Sequence, residues 1–453
     1  MNLFNNRMEK WSNDYILCWL FNIGVEKQWS SSRFQIKNQE EDLVVQHMEE
    51  IILLLTCKQD TVLLRRMPDE GLIRELEKFG FEIPLILCPQ TDDPSKTITQ
   101  LVLEDEKLLR RLRVCAGEKQ MYLVPYGITE KEEKLAEICS MKIIGCAANV
   151  AKTVNSKLYA RELITRLHMP MPDGVICNNL DEIKKAWKWL SHKFSRIVIK
   201  RPYGASGDGL YLVDSDKKFH MALHILKRSQ EETEKWIVEG WYEKKIDLNA
   251  QLYIFNNGDI EIISITEQLL NDTIYQGSVY PPALSSSSMA EYICMIKDVG
   301  KELFSDGIRG IVGIDSIMTD CGIFPVIEIN VRFTLSTYLS ALPLQIENRC
   351  FQSMYYRVLL DSKVDCLSIK KKMESVGVSF DFKNMEGIFC YNYACMDKAV
   401  VGTVGRLFVV IVSKERKELH QLQLKLERIL KEEGILYGNR RNSSTKNKRS
   451  LEH

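Results

Sequence analysis

The sequence lacks an excess of charge of either sign. Among its 453 residues, 61 lysines and arginines balance 61 aspartates and glutamates. Proteins that bind nucleic acid through its phosphates need a basic surface excess, so we expect no general nucleic-acid binding. Hydrophobic residues make up 45% and charged residues 27% of the chain, which excludes a wholly disordered, collagen-like or coiled-coil protein. The length predicts roughly two to four domains.

A long apolar run is also missing. The uncharged stretch from Tyr15 to Val25 has 11 residues, whereas a membrane-spanning helix needs about 20. Neither a basic region nor a small-residue cleavage site accompanies this stretch, so the sequence predicts no membrane span and no signal peptide. We therefore expect a cytoplasmic protein.

Cysteine pairs are missing as well. The chain has 13 cysteines, but none stands in a Cys-x-x-Cys pair or beside histidines at zinc spacing. An odd, scattered set is typical of reduced thiols in the cytoplasm, and this excludes a disulfide framework.

Strand-like and helix-like segments alternate through the first 140 residues. Residues 61–64 read as a buried strand, and residues 69–79 have helical spacing that ends at Gly80. Such alternation predicts an α/β layer with a largely parallel sheet. Beyond residue 366, two strands and an amphipathic helix over 418–431 predict a small α+β unit.

The middle of the chain has more strands and several loop signals. Residues 248–268 have the pattern of a hairpin that turns at 256–259. A helix is predicted over 291–304, and the serines at 285–288 are interpreted as a linker, with a mobile substrate loop as the alternative. We expect residues 268–290 to form loops that contribute to substrate specificity.

A glycine-rich loop follows a strand that ends in Lys200. Residues 201–209 include four residues typical of phosphate loops, Gly204, Ser206, Gly207 and Gly209, and a second strand begins at 210. Glycines let backbone N–H groups approach phosphate oxygens, while serine and lysine add a hydroxyl donor and a positive charge. The motif is neither a Walker loop nor a Rossmann fingerprint, because a strand follows it. A simple hairpin turn is the alternative.

Three oxygen-bearing side chains fall on two neighbouring strands. Asp315 lies in the first, and Glu328 and Asn330 stand two apart in the second, so that they share one face. The turn at 319–322 pairs the two strands as a hairpin. Two carboxylates and an amide oxygen suit Mg²⁺ held between a protein and nucleotide phosphates. Polar contacts across the strands are the alternative for each residue taken alone.

A third signal lies between these two motifs. The strand at 236–238 ends at Glu239, which Gly240 and Trp241 follow. The backbone of such a strand end can meet a nucleotide base edge-on, with Glu239 near the adenine amino group.

The order of these motifs resembles the ATP-grasp superfamily over residues 141–365. The motifs follow one another in this order: a lysine on a helix, a strand lysine with a glycine-rich loop, a strand that ends in glutamate, and an aspartate before Glu-x-Asn-x-Arg. The separation of Asp315 from Glu328 is similar to that in D-alanine–D-alanine ligases. The resemblance implies this division of the chain: an N-terminal α/β pre-ATP-grasp domain (1–140), an ATP-grasp domain (141–365, with a lid subdomain at 156–238 and a C-lobe at 239–365), a small C-terminal α+β domain (366–437), and a basic tail (438–453) that ends in a tag-like Leu451-Glu452-His453.

The resemblance also implies nucleotide-binding roles. Lys157 and Lys200 correspond to the two lysines that hold ATP phosphates, and residues 204–209 correspond to the flexible lid over them. Residues 239–241 correspond to the hinge that reads adenine. Asp247 stands closest to the place where many family members carry an acid for the ribose hydroxyls.

The metal and the transferred phosphoryl group are assigned in the same way. Asp315, Glu328 and Asn330 match the magnesium ligands of the family. Arg332 matches the arginine that faces the transferring phosphoryl group or the acyl phosphate, and Arg309 is a second candidate for that task. The implied ligands are ATP and Mg²⁺, with Mn²⁺ as an alternative metal.

The signature at 328–337, with the flanking regions, resembles pheganomycin-type peptide ligases and butirosin-type glutamate–acyl-carrier-protein ligases. The resemblance implies an ATP-dependent ligase of natural-product biosynthesis that activates a carboxylate, such as an amino acid or peptide, and joins it to an amine. The alternatives are a thioester on the phosphopantetheine of an acyl-carrier protein and a non-catalytic ATP-binding regulator. Many relatives are homodimers, but the sequence shows no seam, so the oligomeric state stays open.

One further pair of residues has a weaker claim. His220 and His224 are four apart on a predicted helix, but no third ligand accompanies them. We interpret them as surface or core residues rather than a metal site.

Overall fold

The computed structural model describes residues 15–25, 29, 39–204, 209–229, 235–271, 273–347, 349–361 and 364–437. The residues of the predicted tail and tag remnant, together with Ser206 and Gly207 of the glycine-rich loop, lie outside these ranges. Three sheets organise the part of the chain that is described. None of the helices in these ranges has the length and hydropathy that a membrane crossing requires.

The N-terminal sheet has five parallel strands in the order β3-β2-β1-β4-β5. Successive residues of β1 pack in different cores, since Leu17 lies in one hydrophobic cluster and Cys18 in another. Both faces of the sheet are therefore covered, as an α/β layer requires. This confirms the expected α/β architecture. The elements of this region are β1 (Tyr15–Leu20), α1 (Gln39–Gln46), a 3₁₀ helix (His47–Leu54), β2 (Thr61–Leu63), α2 (Glu70–Phe79), β3 (Leu85–Leu87), α3 (Ile98–Glu104), α4 (Glu106–Glu118), β4 (Gln120–Pro125), α5 (Glu130–Ile138) and β5 (Lys142–Ile143).

Helix α2 forms where its spacing and caps predict it. The Asp69 side chain accepts a hydrogen bond from the backbone N–H of Gly71, and Gly80 ends the helix in the left-handed conformation at φ 87°. Leu72, Leu76 and other apolar residues of one face are buried in the core below the sheet.

The second sheet is small and antiparallel, with the order β6-β9-β7-β8. Two helices cover it, and the stacked rings of Trp187 and Phe219, 4.6 Å apart, join them. This unit contains the strand that delivers Lys200 and the strand that ends at Gly240. Its elements, with the two helices before it, are α6 (Ala148–Val154), α7 (Lys157–Arg166), β6 (Gly174–Cys177), α8 (Leu180–Leu190), β7 (Ile197–Lys200), β8 (Leu210–Val213), α9 (Asp216–Ser229) and β9 (Trp236–Gly240).

The third sheet has eight strands in the order β14-β13-β10-β11-β12-β15-β17-β16. The predicted hairpin is confirmed, because the backbone N–H of Phe255 donates to the Asp259 carbonyl between β10 and β11. The elements are β10 (Lys244–Ile254), β11 (Ile260–Asn271), β12 (Ile274–Tyr280), α10 (Ser286–Ser305), β13 (Gly310–Thr319), β14 (Gly322–Asn330), α11 (Leu335–Tyr338), α12 (Leu342–Gln345), β15 (Cys350–Leu359), α13 (Cys366–Ser375), β16 (Gly387–Asn392), α14 (Lys398–Val401), β17 (Val404–Ser413) and α15 (Arg416–Glu432).

Two expectations for the middle of the chain are wrong. Most of residues 268–290 form the paired strands β11 and β12 and the start of α10 rather than loops. The serine run is the N-terminus of α10, because the Ser285 hydroxyl accepts a hydrogen bond from the backbone N–H of Ser288. A serine at the N-cap satisfies a helix N–H that would otherwise lack a partner.

The C-terminal strands do not form a sheet of their own. β17 pairs with β15 over its whole length, from Cys350 opposite Ser413 to Leu359 opposite Val404, and β16 pairs with β17. The predicted C-terminal α+β unit therefore extends the large sheet, while the domain limits stay a prediction. The predicted amphipathic helix forms as α15 and buries Leu419 and Leu426.

The N-terminal and C-terminal parts of the chain meet at a buried acid. One carboxylate oxygen of Glu50, on the 3₁₀ helix, accepts hydrogen bonds from the backbone N–H groups of Tyr393 (2.6 Å) and Ala394 (2.9 Å). Burial raises the pKa of Glu50 to about 7, although these two bonds oppose the shift. Below about pH 7 the protonated form is therefore favoured in the folded chain.

This raised pKa predicts a pH-dependent stability. Between the unfolded pKa near 4.5 and the folded pKa near 7, rising pH ionises the unfolded form first, so stability falls. Glu50→Gln keeps an oxygen acceptor and removes this effect, which is worth up to roughly 3 kcal/mol. We expect the unfolding midpoint of the wild type to fall more between pH 5 and pH 8 than that of the variant. Equal pH dependence in the wild type, Glu50→Gln and the exposed control Glu106→Gln would contradict the assignment.

Candidate active site

The predicted metal ligands lie together on β13 and β14. The antiparallel register places Asp315 directly opposite Glu328, and Asn330 lies two residues further along β14. The Asn330 amide donates a hydrogen bond of 3.1 Å to one carboxylate oxygen of Asp315. The hairpin thus brings all three side chains to one face of the sheet, which we call the metal face because it carries the predicted metal ligands.

The electrostatics of this face favour a cation. Burial and the neighbouring Glu328 raise the pKa of Asp315 to about 6, because two facing carboxylates repel each other in a poorly solvated place. The described residues contain no trio of histidine, cysteine or acidic side chains that could bind a metal alone. Two carboxylates and an amide fit Mg²⁺ only where phosphate oxygens and water complete its coordination.

Two amides that the sequence analysis missed hold Asp315 in place. Asn249 on β10 and Gln268 on β11 donate to the same carboxylate oxygen, over 2.8 and 2.7 Å. Gln251 in turn donates to the side-chain amide oxygen of Asn249. A usable signal was present, since Asn249 and Gln251 interrupt an apolar strand at alternate positions, and buried polar groups in a core need partners.

Lys157 contacts both the metal face and the glycine-rich loop. The lysine opens α7, whose N-cap is Ser156, and its side chain is 7% exposed. Its ammonium donates to the Glu328 carboxylate over 3.2 Å and to the Gly204 carbonyl over 2.9 Å. The structure therefore brings the first predicted phosphate lysine and a predicted metal ligand into direct contact.

Lys200 lies beside a buried acid and an arginine. Its ammonium is 2.5 Å from one carboxylate oxygen of Glu239, and Arg161 is 2.6 Å from the other. Burial alone would raise the pKa of Glu239, but the two cations outweigh it and hold that pKa below its ordinary value. In this structure the Glu239 carboxylate binds Lys200 and Arg161, and its role beside the adenine amino group stays a prediction.

Arg161 is a second residue that the sequence analysis missed. It lies four residues after Lys157 on α7, so both side chains project from the same helix face. The guanidinium also donates to the Gly174 carbonyl on β6. The helical spacing of two basic residues was a signal that could have indicated it.

The hinge backbone is already engaged in hydrogen bonds. The N–H of Gly240 donates to the Asp173 carbonyl and that of Trp241 to the Arg196 carbonyl, both over 2.9 Å. A side chain at Gly240 would come within 2.5 Å of the Phe194 ring, so the glycine is needed for packing. The two hinge N–H groups are therefore occupied, and adenine would have to find other donors.

Asp247 lies on β10, two residues before Asn249. It pairs with Lys244 over 2.6 Å, and that lysine also lies over the Trp241 ring. Side chains two apart on a strand share a face, so Asp247 lies on the face of the metal residues. Its predicted ribose role is compatible with this place.

The two candidate arginines have different surroundings. The charge of Arg332 partly opposes the rise in the pKa of Asp315, and its guanidinium donates to the Tyr126 hydroxyl, over 2.7 Å, at the end of β4. Arg309 donates to the carbonyls of Phe304 and Ile308 and lies over the Phe304 ring. The structure brings Arg332 to the metal face, whereas Arg309 is engaged at the C-terminal end of α10.

The described ends of the glycine-rich loop form a closed turn. The backbone N–H of Arg201 donates to the Gly209 carbonyl, and Gly209 has a φ of 75°, which favours glycine. Gly204 contacts Lys157 as stated above. Ser206 and Gly207 lie outside the described residues.

Comparisons with known proteins find two matching families and a similar ligase. Residues 48–141 match the family described as the pre-ATP-grasp domain, and residues 178–330 match the family described as L-aspartate–L-methionine ligase, ATP grasp. The butirosin acyl-carrier-protein–L-glutamate ligase of Niallia circulans is 29% identical over 343 residues, which cover 74% of this chain and 75% of that protein.

Solved structures share the fold at low identity. An N5-carboxyaminoimidazole ribonucleotide synthetase in complex with ADP has a TM-score of 0.55 and 11% identity, over 91% of this chain and 96% of that one. Biotin carboxylase of Campylobacter jejuni has a TM-score of 0.54 and 13% identity, over 90% and 89%. Phosphoribosylamine–glycine ligase of Thermotoga maritima has a TM-score of 0.53 and 13% identity, over 91% and 96%.

The two family matches, the butirosin relative and the shared fold agree with the order of motifs along the chain. The protein therefore contains a pre-ATP-grasp domain and an ATP-grasp domain and is an ADP-forming ligase.

Proposed function

We propose that the chain activates the carboxylate of an amino acid or peptide with ATP and Mg²⁺ and joins it to an amine. The observation that carries this proposal is the contact of Lys157 with both Glu328 and the Gly204 carbonyl. A lysine in this place can hold a phosphate oxygen between the glycine-rich loop and the metal ligands. That arrangement suits phosphoryl transfer from ATP to a bound carboxylate.

The proposed chemistry has two displacements. A carboxylate oxygen attacks the γ-phosphorus of ATP, the bond to the bridging oxygen breaks, and ADP leaves. The amine nitrogen then attacks the acyl phosphate, the bond to the phosphate oxygen breaks, and the amine proton passes to the departing phosphate or to solvent. Catalysis in such steps comes mainly from positioning and charge neutralisation.

Each basic residue has a place in this scheme. Lys157 and Lys200 would hold ATP phosphates in exchange for their present partners Glu328 and Glu239. Arg332, fixed by the Tyr126 hydroxyl, would face the transferring phosphoryl group. Mg²⁺ bound by Asp315, Glu328 and Asn330 would neutralise phosphate charge.

The comparisons suggest which carboxylates to test first. The matched family is named for L-aspartate and L-methionine, and the butirosin relative is named for L-glutamate. We therefore propose an acidic amino acid as the activated substrate. The amine acceptor would be a second amino acid, a peptide or a related small molecule.

A thiol acceptor is the second candidate. The relative that is 29% identical over 74% of this chain is named for an acyl-carrier protein. In that reaction the phosphopantetheine thiol would attack the acyl phosphate, the bond to the phosphate oxygen would break, and a thioester would form while phosphate leaves and the thiol proton passes to it or to solvent. A purely regulatory ATP-binding role is disfavoured, because a binding protein has no need of both lysines and the metal ligands together.

Loss of Lys200 or Glu328 should abolish turnover. We expect Lys200→Ala and Glu328→Ala each to lower kcat/KM by roughly a hundredfold or more, since each removes charge stabilisation of the transferred phosphoryl group. Phosphate release measured over a range of ATP concentrations gives kcat/KM, and circular dichroism verifies the fold. The exposed lysine variant Lys188→Ala is the matched control. Wild-type activity in both site variants would refute the assignment.

Arg161 should act on ATP binding through Glu239. Without its arginine partner, the Glu239 carboxylate holds Lys200 more tightly and competes with phosphate, so Arg161→Ala should raise KM for ATP roughly tenfold. The double variant Arg161→Ala/Glu239→Gln should recover part of the affinity, because the competing charge is gone. A double variant that is weaker than Arg161→Ala alone would indicate a structural role instead.

The acceptor can be identified by product analysis. ATP, Mg²⁺ and L-glutamate or L-aspartate would be incubated with a second L-amino acid or with a holo-acyl-carrier protein. We expect ADP and phosphate, together with a dipeptide in the first case or an acylated carrier in the second. AMP and pyrophosphate would contradict acyl-phosphate chemistry. ATP binding without turnover under all conditions would favour the regulatory alternative.

A further inference from the structure

A cavity of about 210 Å³ lies far from the metal face. It is enclosed by α2 of the N-terminal part and by α13 and β16 of the C-terminal part. Strand β16 is at one end of the eight-stranded sheet, and β14, which carries Glu328, is at the other end. A ligand in this cavity would therefore not overlap the nucleotide site.

The floor of the cavity is apolar and aromatic. It consists of five buried side chains: Met373, Phe380, Ile388, Phe389 and Cys390. Phe79 packs behind two of them, with ring centroids 4.3 Å from Phe380 and 4.5 Å from Phe389. This backing makes the floor a preformed apolar surface rather than a gap that side-chain rotation can close.

The size of the cavity limits its occupant. Water takes roughly 30 Å³ per molecule in the liquid, and pockets for drug-sized ligands begin at about 300 Å³. A cavity of about 210 Å³ therefore suits a small metabolite rather than a nucleotide or a long acyl chain.

Charges of both signs line the wall and the mouth. Glu75 is 7% exposed, pairs with Lys370 and accepts a hydrogen bond of 3.0 Å from the Tyr393 hydroxyl. At the mouth, Lys78 and Glu374 are exposed; Glu374 lies 3.9 Å from Lys370, and within the described ranges Lys78 has no ion-pair partner. An apolar floor under a cation and an anion is complementary to a small molecule with both charges and an apolar body.

We propose that this cavity binds a free apolar L-amino acid of the size of leucine, methionine or phenylalanine. The side chain would lie on Phe380 and Phe389, the carboxylate would meet Lys78, and the ammonium would meet Glu374. A carboxylic acid without an ammonium group would place a second negative charge near Glu374. An amine without a carboxylate would place a second positive charge near Lys78. The proposal does not depend on the reaction proposed above.

Such a ligand would join two parts of the chain. The cavity wall comes from α2 on one side and from α13 and β16 on the other, where Glu75 and Lys370 already form an ion pair. A molecule that binds the folded chain and not the unfolded one raises its stability by mass action. We therefore expect the amino acid to raise the thermal unfolding midpoint as its concentration increases.

The first test measures ligand chemistry on the full chain. Isothermal titration would compare L-phenylalanine, L-leucine and L-methionine with 3-phenylpropanoate, which lacks the ammonium, and phenethylamine, which lacks the carboxylate. We expect at least one of the three amino acids to bind, and each single-charge analogue of phenylalanine to bind roughly tenfold more weakly than phenylalanine itself. Absence of binding by all three amino acids at millimolar concentration would overturn the proposal.

The second test separates this cavity from the catalytic site. Glu374→Gln and Lys78→Gln change exposed side chains at the mouth, so the fold is retained, and each should weaken binding roughly tenfold. The variant Glu77→Gln, an exposed neighbour on α2 outside the cavity, and Lys200→Ala, in the proposed catalytic site, should bind as the wild type does. Binding that both mouth variants leave unchanged, or that Lys200→Ala abolishes, would overturn the proposal and place the amino acid elsewhere.

Discussion

The repulsion between Asp315 and Glu328 governs the arrangement of the site. The hairpin register places the two carboxylates opposite each other in a place where water is scarce, so each needs compensation. Asn249 and Gln268 donate to Asp315, and Lys157 donates to Glu328. Strands from one sheet and a helix that carries a lysine must meet at this point for the carboxylates to be tolerated.

In the smaller sheet, a buried carboxylate is again stabilised by neighbouring groups of opposite charge. Glu239 is buried between Lys200 and Arg161, and the two cations keep it ionised. In both places a lysine that is proposed to hold phosphate pairs with a carboxylate. Helix α7 contributes to both places, through Lys157 and Arg161, and so positions the two halves of the site together.

Sequence patterns predicted the features that depend on residues close together in the chain. The period of two along β14 and the short turn before it indicated that Glu328 and Asn330 would face Asp315, and the caps of α2 marked its ends. The pairing of β7 with β9, which places Glu239 next to Lys200, depends on strands that are far apart in the chain. The pairing of β15 with β17 likewise joins strands that are distant in the chain. Such register is set by tertiary packing, which no local propensity records.

The position of Lys157 has a thermodynamic consequence. With the proposed roles, a cation that neutralised Glu328 would free the lysine for a phosphate, and a phosphate that attracted the lysine would leave Glu328 free for the cation. The two binding equilibria would then be linked, and by reciprocity each ligand would raise the affinity of the other by the same factor. Such a chain would recognise the metal–nucleotide complex as one species and discriminate against either component alone.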